Sequence, residues 1–118
     1  PGFNFQKKDG EVAGWRRDLL GLSEAGTYGL EFREYSHLSN NNELREISDN
    51  LYEKINQNSR EFPPAEVSAG FKSFSSSLFT LGGRADSFFE YIFKQYVQTR
   101  ETEPFWLERF DKYMVKGI

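Results

Sequence analysis

The 118 residues contain no cysteine, so no disulfide can form and the redox compartment of the chain stays undetermined. No apolar run approaches the ~20 residues that span a bilayer, which excludes a membrane segment in this stretch. The N-terminus lacks a basic-then-apolar leader pattern, and no Asn-x-Ser/Thr acceptor for glycosylation occurs. Charge of one sign is not concentrated either. Fifteen Lys and Arg stand against eighteen Asp and Glu, a net charge of −3, and basic runs go no further than pairs such as Arg16-Arg17. That leaves no electrostatic footprint for nucleic acid or an anionic membrane surface. Histidine is reduced to His37 alone, near a helix end with no second ligand in view. It is read as solvent-facing, and no metal-ligand spacing occurs anywhere.

What is present is apolar and aromatic. With 37% hydrophobic and 17% aromatic residues, the chain has material for one globular core. It begins at Pro1 rather than Met and is read as a piece of something longer.

The pattern along the chain predicts an all-α architecture of two helical hairpins behind an irregular arm. Residues 1–22 carry Gly2, Gly10, Gly14 and Gly21, with Gly26 just beyond, and show no sustained period, so they read as loop. Ala25, Tyr28, Phe32 and Tyr35 recur at helical spacing from about Ser23 until Ser39 and the run Asn40 to Asn42. Leu44, Ile47, Leu51 and Ile55 predict a second helix, closed by Asn56 to Ser59, and the first hairpin is residues 23–58. Residues 59–85 form a connector marked by Pro63-Pro64, Gly70 and Ser75 to Ser77, with a short strand expected around Leu78–Leu81. The second hairpin, 86–116, holds a helix from Asp86 or Ser87 to about Thr99. A second helix follows Pro104 and is built on Trp106, Leu107, Phe110, Tyr113 and Met114, with Gly117 as its stop.

The stretch "TLGGRADSFFEYIFKQY" (80–96) sets Arg84 and Asp86 against a block of aromatics. One reading is purely structural. Ser87 to Glu90 fits a capping box, Gly82-Gly83 supplies the turn, and Asp86 is a charge that a helix N-terminus favours. Glu90 and Lys94 also stand at i,i+4 spacing for an ion pair. The helix itself is apolar nearly all round, with Phe88, Phe89, Tyr91, Ile92, Phe93, Tyr96 and Val97, so burial on most sides is expected. That surplus points to neighbours in another chain or in absent parts of this one.

The longer block "TLGGRADSFFEYIFKQYVQTRET" resembles a stretch of glycosyl hydrolase family 47, the class I α-1,2-mannosidases, that reads Leu-Gly-(Ala/Ser)-Arg-(Ala/Gly)-Asp-Ser followed by two aromatics and Glu-Tyr. "SEAGTYGLEFREYSHLSNN" (23–41) is similar to that family's Ala-Glu-x-x-(Thr/Ser)-x-x-x-Glu-Phe segment, with Glu24, Glu31 and Phe32 in place. "WLERFDKYMVKGI" resembles the helix ending in Met/Ile-x-Gly. The similarity runs from residue 22 onward and covers only part of the family's catalytic domain. The family's Glu-Thr-Thr-x-Arg-x-Leu-Gly-Gly-Leu motif, the segment with its other base, and its calcium-binding threonine motif are absent.

The resemblance implies two hairpins of an (αα)7 barrel around a pocket for a terminal mannose. It implies an inverting, calcium-dependent enzyme trimming high-mannose N-glycans in the endoplasmic reticulum or Golgi lumen, or secreted, with the calcium ligands outside this stretch. Carried over by motif, Asp86 is a catalytic acidic residue of the pocket, Arg84 contacts the sugars, and Glu24 lies near the glycan. The residue types suit that chemistry. Inversion uses an acid on the leaving oxygen and a base on a water at the opposite face, the carboxyls roughly 6.5–9.5 Å apart. The competing readings are a non-catalytic relative that binds mannose glycans in glycoprotein quality control, and an unrelated helical-repeat interaction module.

Overall fold

A computed structural model describes residues 2–4, 9–11, 19–59, 61–68 and 78–117. In chain order the elements are β1 Gly2–Asn4, β2 Asp9–Glu11, β3 Leu19–Gly21, α1 Leu22–Gly26, α2 Gly29–Ser39, α3 Glu43–Asn58, β4 Glu66–Ser68, α4 Asp86–Gln98 and α5 Phe105–Met114. The mostly helical architecture expected from periodicity is present, with α2 and α3 forming one hairpin and α4 and α5 the other.

Several expectations are corrected at the level of local structure. The arm is not all loop: β1 pairs antiparallel with β2, Phe3 opposite Gly10, and β3 pairs antiparallel with β4, Leu20 opposite Val67. Strands of three residues are too short to show a period of two, which is why the sequence hides them. The strand expected at Leu78–Leu81 is not formed. That segment runs alongside the connector, the Leu78 carbonyl accepting from Ala65 N at 2.8 Å, and the strand falls at Glu66–Ser68 instead. The single helix expected over 23–39 is interrupted at Thr27-Tyr28 into α1 and α2. Glycines on both sides of the break lower helix propensity, and both are needed for packing. A Cβ on Gly26 would lie 2.7 Å from Phe88 Cδ2, and one on Gly29 would lie 3.1 Å from Gln95 Nε2.

The helix boundaries follow from the ends. Asn40 takes the left-handed conformation at φ 54° and stops α2, a geometry that asparagine tolerates better than most residues. At the far end of α3, the Lys112 ammonium donates to the Asn56 carbonyl (3.3 Å), the Asn56 side chain (3.0 Å) and the Ser59 carbonyl (3.1 Å). These satisfy acceptors that a helix C-terminus leaves open, and they tie α3 to α5. Burial pulls the Lys112 pKa down. The expected capping box at Ser87 and Glu90 is not formed: α4 begins at Asp86 with Ala85 at the cap position, and Glu90 pairs with Lys94 at 2.6 Å. α5 ends at Met114, before the expected stop at Gly117.

The core is aromatic. Tyr52 stacks on Phe88 with ring centres 5.3 Å apart and meets Trp106 edge-on at 5.0 Å, while Phe62, Phe89 and Tyr113 close the far side. Leu22, Ile55, Val67, Ala85 and Ile92 fill the space between them. The Tyr52 hydroxyl donates to the Gly26 carbonyl at 2.6 Å, so the one polar atom of a buried ring is satisfied where α1 ends. Burial pushes its pKa up, and for the same reason that of Tyr113 is pushed up to about 12. Burial of α4 on most sides, expected from its composition, is met on one face only. Phe88, Phe89, Ile92 and Gln95 are buried, Phe88 against Tyr52 of α3 and Phe89 against Phe62, while Phe93 and Val97 are 42% and 55% exposed.

Two outcomes follow. Gly26→Ala should destabilise the fold by about 1–3 kcal/mol, since the added methyl meets a packed ring rather than a flexible chain end, and a denaturation midpoint checks it. The isolated 118-residue chain, exposing Phe79, Phe93, Val97, Ile47 and Leu38, should bind a hydrophobic dye and self-associate. A dye-silent monomer with a sharp melt would contradict that.

Candidate active site

The turn from Thr80 to Asp86 is built on local backbone bonds. The Thr80 hydroxyl accepts from Gly82 N at 2.9 Å, and the Gly82 carbonyl accepts from both Ala85 N and Asp86 N at 3.0 Å. The sequence places a glycine pair here, yet the left-handed residue is Arg84, at φ 79°. A side chain in that region costs roughly 1–2 kcal/mol, so the surroundings must hold it. Two anchors do. The Arg84 carbonyl accepts from Ser23 N of α1 at 2.8 Å, and the Arg84 guanidinium pairs with the Glu66 carboxylate of β4. Between Arg84 and Asp86, Ala85 is fully buried and pins the turn to the core.

Asp86 is exposed at the start of α4. Its Oδ1 accepts from Ser87 N at 2.9 Å and from the Ser23 hydroxyl at 2.9 Å. The Ser87 amide and then the Ser23 hydroxyl hold the carboxyl below its ordinary value of 3.8, so the group is an anion at neutral pH. Burial beneath the aromatics, which would push the other way, is a minor influence because the carboxylate sits at the surface.

The three residues singled out by motif are therefore distributed as follows. Arg84 and Asp86 share one turn, and Glu24 is the next residue after Ser23, whose backbone and side chain both contact that turn. Glu24 also lines a hollow of about 380 Å³ between α1 and α3, together with Ala25, Tyr28, Ile47, Leu51 and Lys54. The sequence did not single out Ser23 or Glu66 as partners of the site. Ser23 carries no local signal, since its contact with Asp86 spans 63 residues, and Glu66 depends on the β3–β4 register.

At the opposite end of the hairpins lies a charged network. The buried Arg33 pairs with Asp49 and Glu103, Arg45 pairs with Glu103 at 2.6 Å, and Trp106 Nε1 donates to Glu103 at 2.8 Å. It borders a hollow of about 540 Å³ that exposed His37 also lines. Among the described residues no group of three or more His, Cys, Asp or Glu side chains could hold a metal ion. The described residues therefore offer no such donor set for the calcium implied by the resemblance. No helix among the described residues is long and apolar enough to cross a membrane.

The described residues form a mostly helical scaffold of paired helices that presents a carboxylate and a guanidinium on one surface turn. More particularly, the model for Glycosyl hydrolase family 47 matches residues 1–118, and the chain belongs to that family, whose members are α-helical barrels. The chain is 32% identical over 108 residues to the endoplasmic reticulum mannosyl-oligosaccharide 1,2-alpha-mannosidase of Mus musculus, covering 88% of this chain and 16% of that protein. It is 31% identical over 100 residues to the protein of that name from Homo sapiens, covering 81% of this chain and 14% of the other. For the Saccharomyces cerevisiae protein of that name, identity is 30% over 86 residues, covering 68% and 16%. The chain thus spans under a fifth of the length of these relatives.

Because the Asp86 pKa is lowered on folding, its charge stabilises the folded form above pH 3.8, and that contribution is lost as pH falls through the lowered pKa. The stability gap between the parent and Asp86→Asn should be constant above that pH and close below it. Urea midpoints between about pH 2 and 6 test this.

Proposed function

We propose that this chain is part of an inverting, calcium-dependent α-1,2-mannosidase that trims terminal mannose from high-mannose N-glycans in the secretory pathway, and that it supplies one wall of the sugar pocket. The observation that carries this reading is the anchored turn with Arg84 and an ionised Asp86 at its surface, in a chain of glycosyl hydrolase family 47. The names of the relatives support the linkage and a location in the endoplasmic reticulum. A Golgi or secreted setting rests on the family resemblance alone. Any calcium would take its ligands from outside the described residues.

Within that reading, each residue has a chemical part. Arg84 offers a planar fork of donors to sugar hydroxyls, and its pairing with Glu66 keeps the fork from swinging freely. Glu24 offers acceptors to the glycan beside it. Asp86 acts as an anion, orienting or deprotonating the attacking water or stabilising positive charge on the sugar ring. A general acid needs a raised pKa, whereas the hydrogen bonds to Asp86 in this chain favour its anion.

In the complete enzyme, Asp86→Asn keeps shape and hydrogen-bonding capacity while removing the charge. Mannose release from a high-mannose glycan should fall by ~10²–10⁴-fold with little change in melting temperature. Unchanged release would refute the assignment. The 118 residues alone should release no mannose above a heat-treated control, because two carboxyls on opposite faces of one sugar are required. Release that Asp86→Asn abolishes would show that this stretch suffices.

A further inference from the structure

We infer that Ser23 is a positioning residue for the reaction: it clamps the Arg84–Asp86 turn through its backbone and fixes the orientation of the Asp86 carboxylate through its hydroxyl. The inference rests on the reading of Asp86 as the site carboxylate. Ser23 makes two bonds to residues on either side of Ala85, its amide to the Arg84 carbonyl at 2.8 Å and its hydroxyl to Asp86 Oδ1 at 2.9 Å. Its own mounting is rigid. The preceding Leu22 is fully buried and donates its amide to the Ala65 carbonyl at 2.9 Å, and Gly21 before it pairs with Glu66 in the small sheet.

An aspartate at an exposed helix start would otherwise sample several side-chain orientations. Donors from Ser87 N and from the Ser23 hydroxyl converge on one oxygen, which sets the plane of the carboxylate and therefore the direction of Oδ2. Catalysis by a carboxylate depends on that direction, because misplacement by about 1 Å can cost on the order of 10²-fold. The amide of Ser23 survives any side-chain change, so the hydroxyl's part can be separated from the backbone's.

The test compares Ser23→Ala and Ser23→Thr in the complete enzyme with an α-1,2-linked mannose disaccharide as substrate. It pairs the pH profile of kcat/KM with a ¹³C titration of the Asp86 carboxyl. The charged residues on the segments that meet there, Arg84, Glu66, Glu24 and Glu90, are untouched by either variant. Losing the hydroxyl removes a bond to the anion, so Ser23→Ala should move the Asp86 titration to higher pH. The acid limb of kcat/KM should move with it, and kcat should drop by about tenfold with KM less affected. Ser23→Thr keeps the hydroxyl and should restore both. An Asp86 titration unmoved by Ser23→Ala, or moved equally by Ser23→Thr, overturns the inference. If Asp86→Asn retains activity, the assignment of Asp86 fails instead, and the titration still decides whether Ser23 holds the carboxylate.

Discussion

The geometry of the candidate site depends on how closely α1 can approach α4, and Gly26 sets that distance. With no side chain on Gly26, the end of α1 sits against the Phe88 ring, and the Tyr52 hydroxyl reaches its carbonyl at 2.6 Å. One turn earlier on the same short helix, Ser23 is thereby carried to the Arg84 carbonyl and the Asp86 carboxylate. The interruption at Thr27-Tyr28 belongs to the same constraint. α1 must contact α4, while α2 must pair with α3 and leave room for Gln95 at Gly29, and an unbroken helix cannot meet both demands. Left-handed strain at Arg84 is tolerated because the contacts that this approach permits hold the turn from outside.

The long elements were legible because each buries a stripe that repeats every three or four residues. Leu51 and Ile55 in α3, Phe88 and Ile92 in α4, and Trp106 and Tyr113 in α5 are partly or fully buried where the pattern put them. The break between α1 and α2 was not legible, since Ala25, Tyr28 and Phe32 keep helical spacing straight across it. Of the site, the motif supplied Arg84, Asp86 and Glu24, but not the partners that orient them. Glu66 meets Arg84 only because β3 and β4 pair, and no local composition encodes a register between segments some 45 residues apart. The glycine pair misdirects in an instructive way. Gly82 and Gly83 could take the left-handed turn at little cost, yet long-range bonds to Arg84 decide where it falls.

The far end of the hairpins is held differently. Arg33 is buried with its charge, a costly arrangement unless every donor is matched. Asp49 from α3 and Glu103 from the segment before α5 match it, and the guanidinium lies 5.4 Å from the centre of the Trp106 ring. Since the partners come from three segments, the network works best at one relative placement of α2, α3 and α5, so it specifies the packing more than it adds to stability. Fixing one end of a bundle also limits how far the other end can drift, which matters when that end carries a turn whose position must be held.

A single helix, α4, then serves two environments that ask for opposite chemistry. On its buried face it is hydrophobic, packing Phe88, Phe89 and Ile92 into the core, while Phe93 and Val97 stay exposed. At its N-terminus it is polar and open, its first amides bonded to the Gly82 carbonyl and to the Asp86 carboxylate, which hydrogen bonds keep ionised. A carboxyl placed on the buried face of α4 would lose its charge to burial, whereas one at the end keeps it while the core behind fixes its position. Under the proposed function that is the useful combination: an anion stable enough in charge to face a sugar, on a mount too well packed to move.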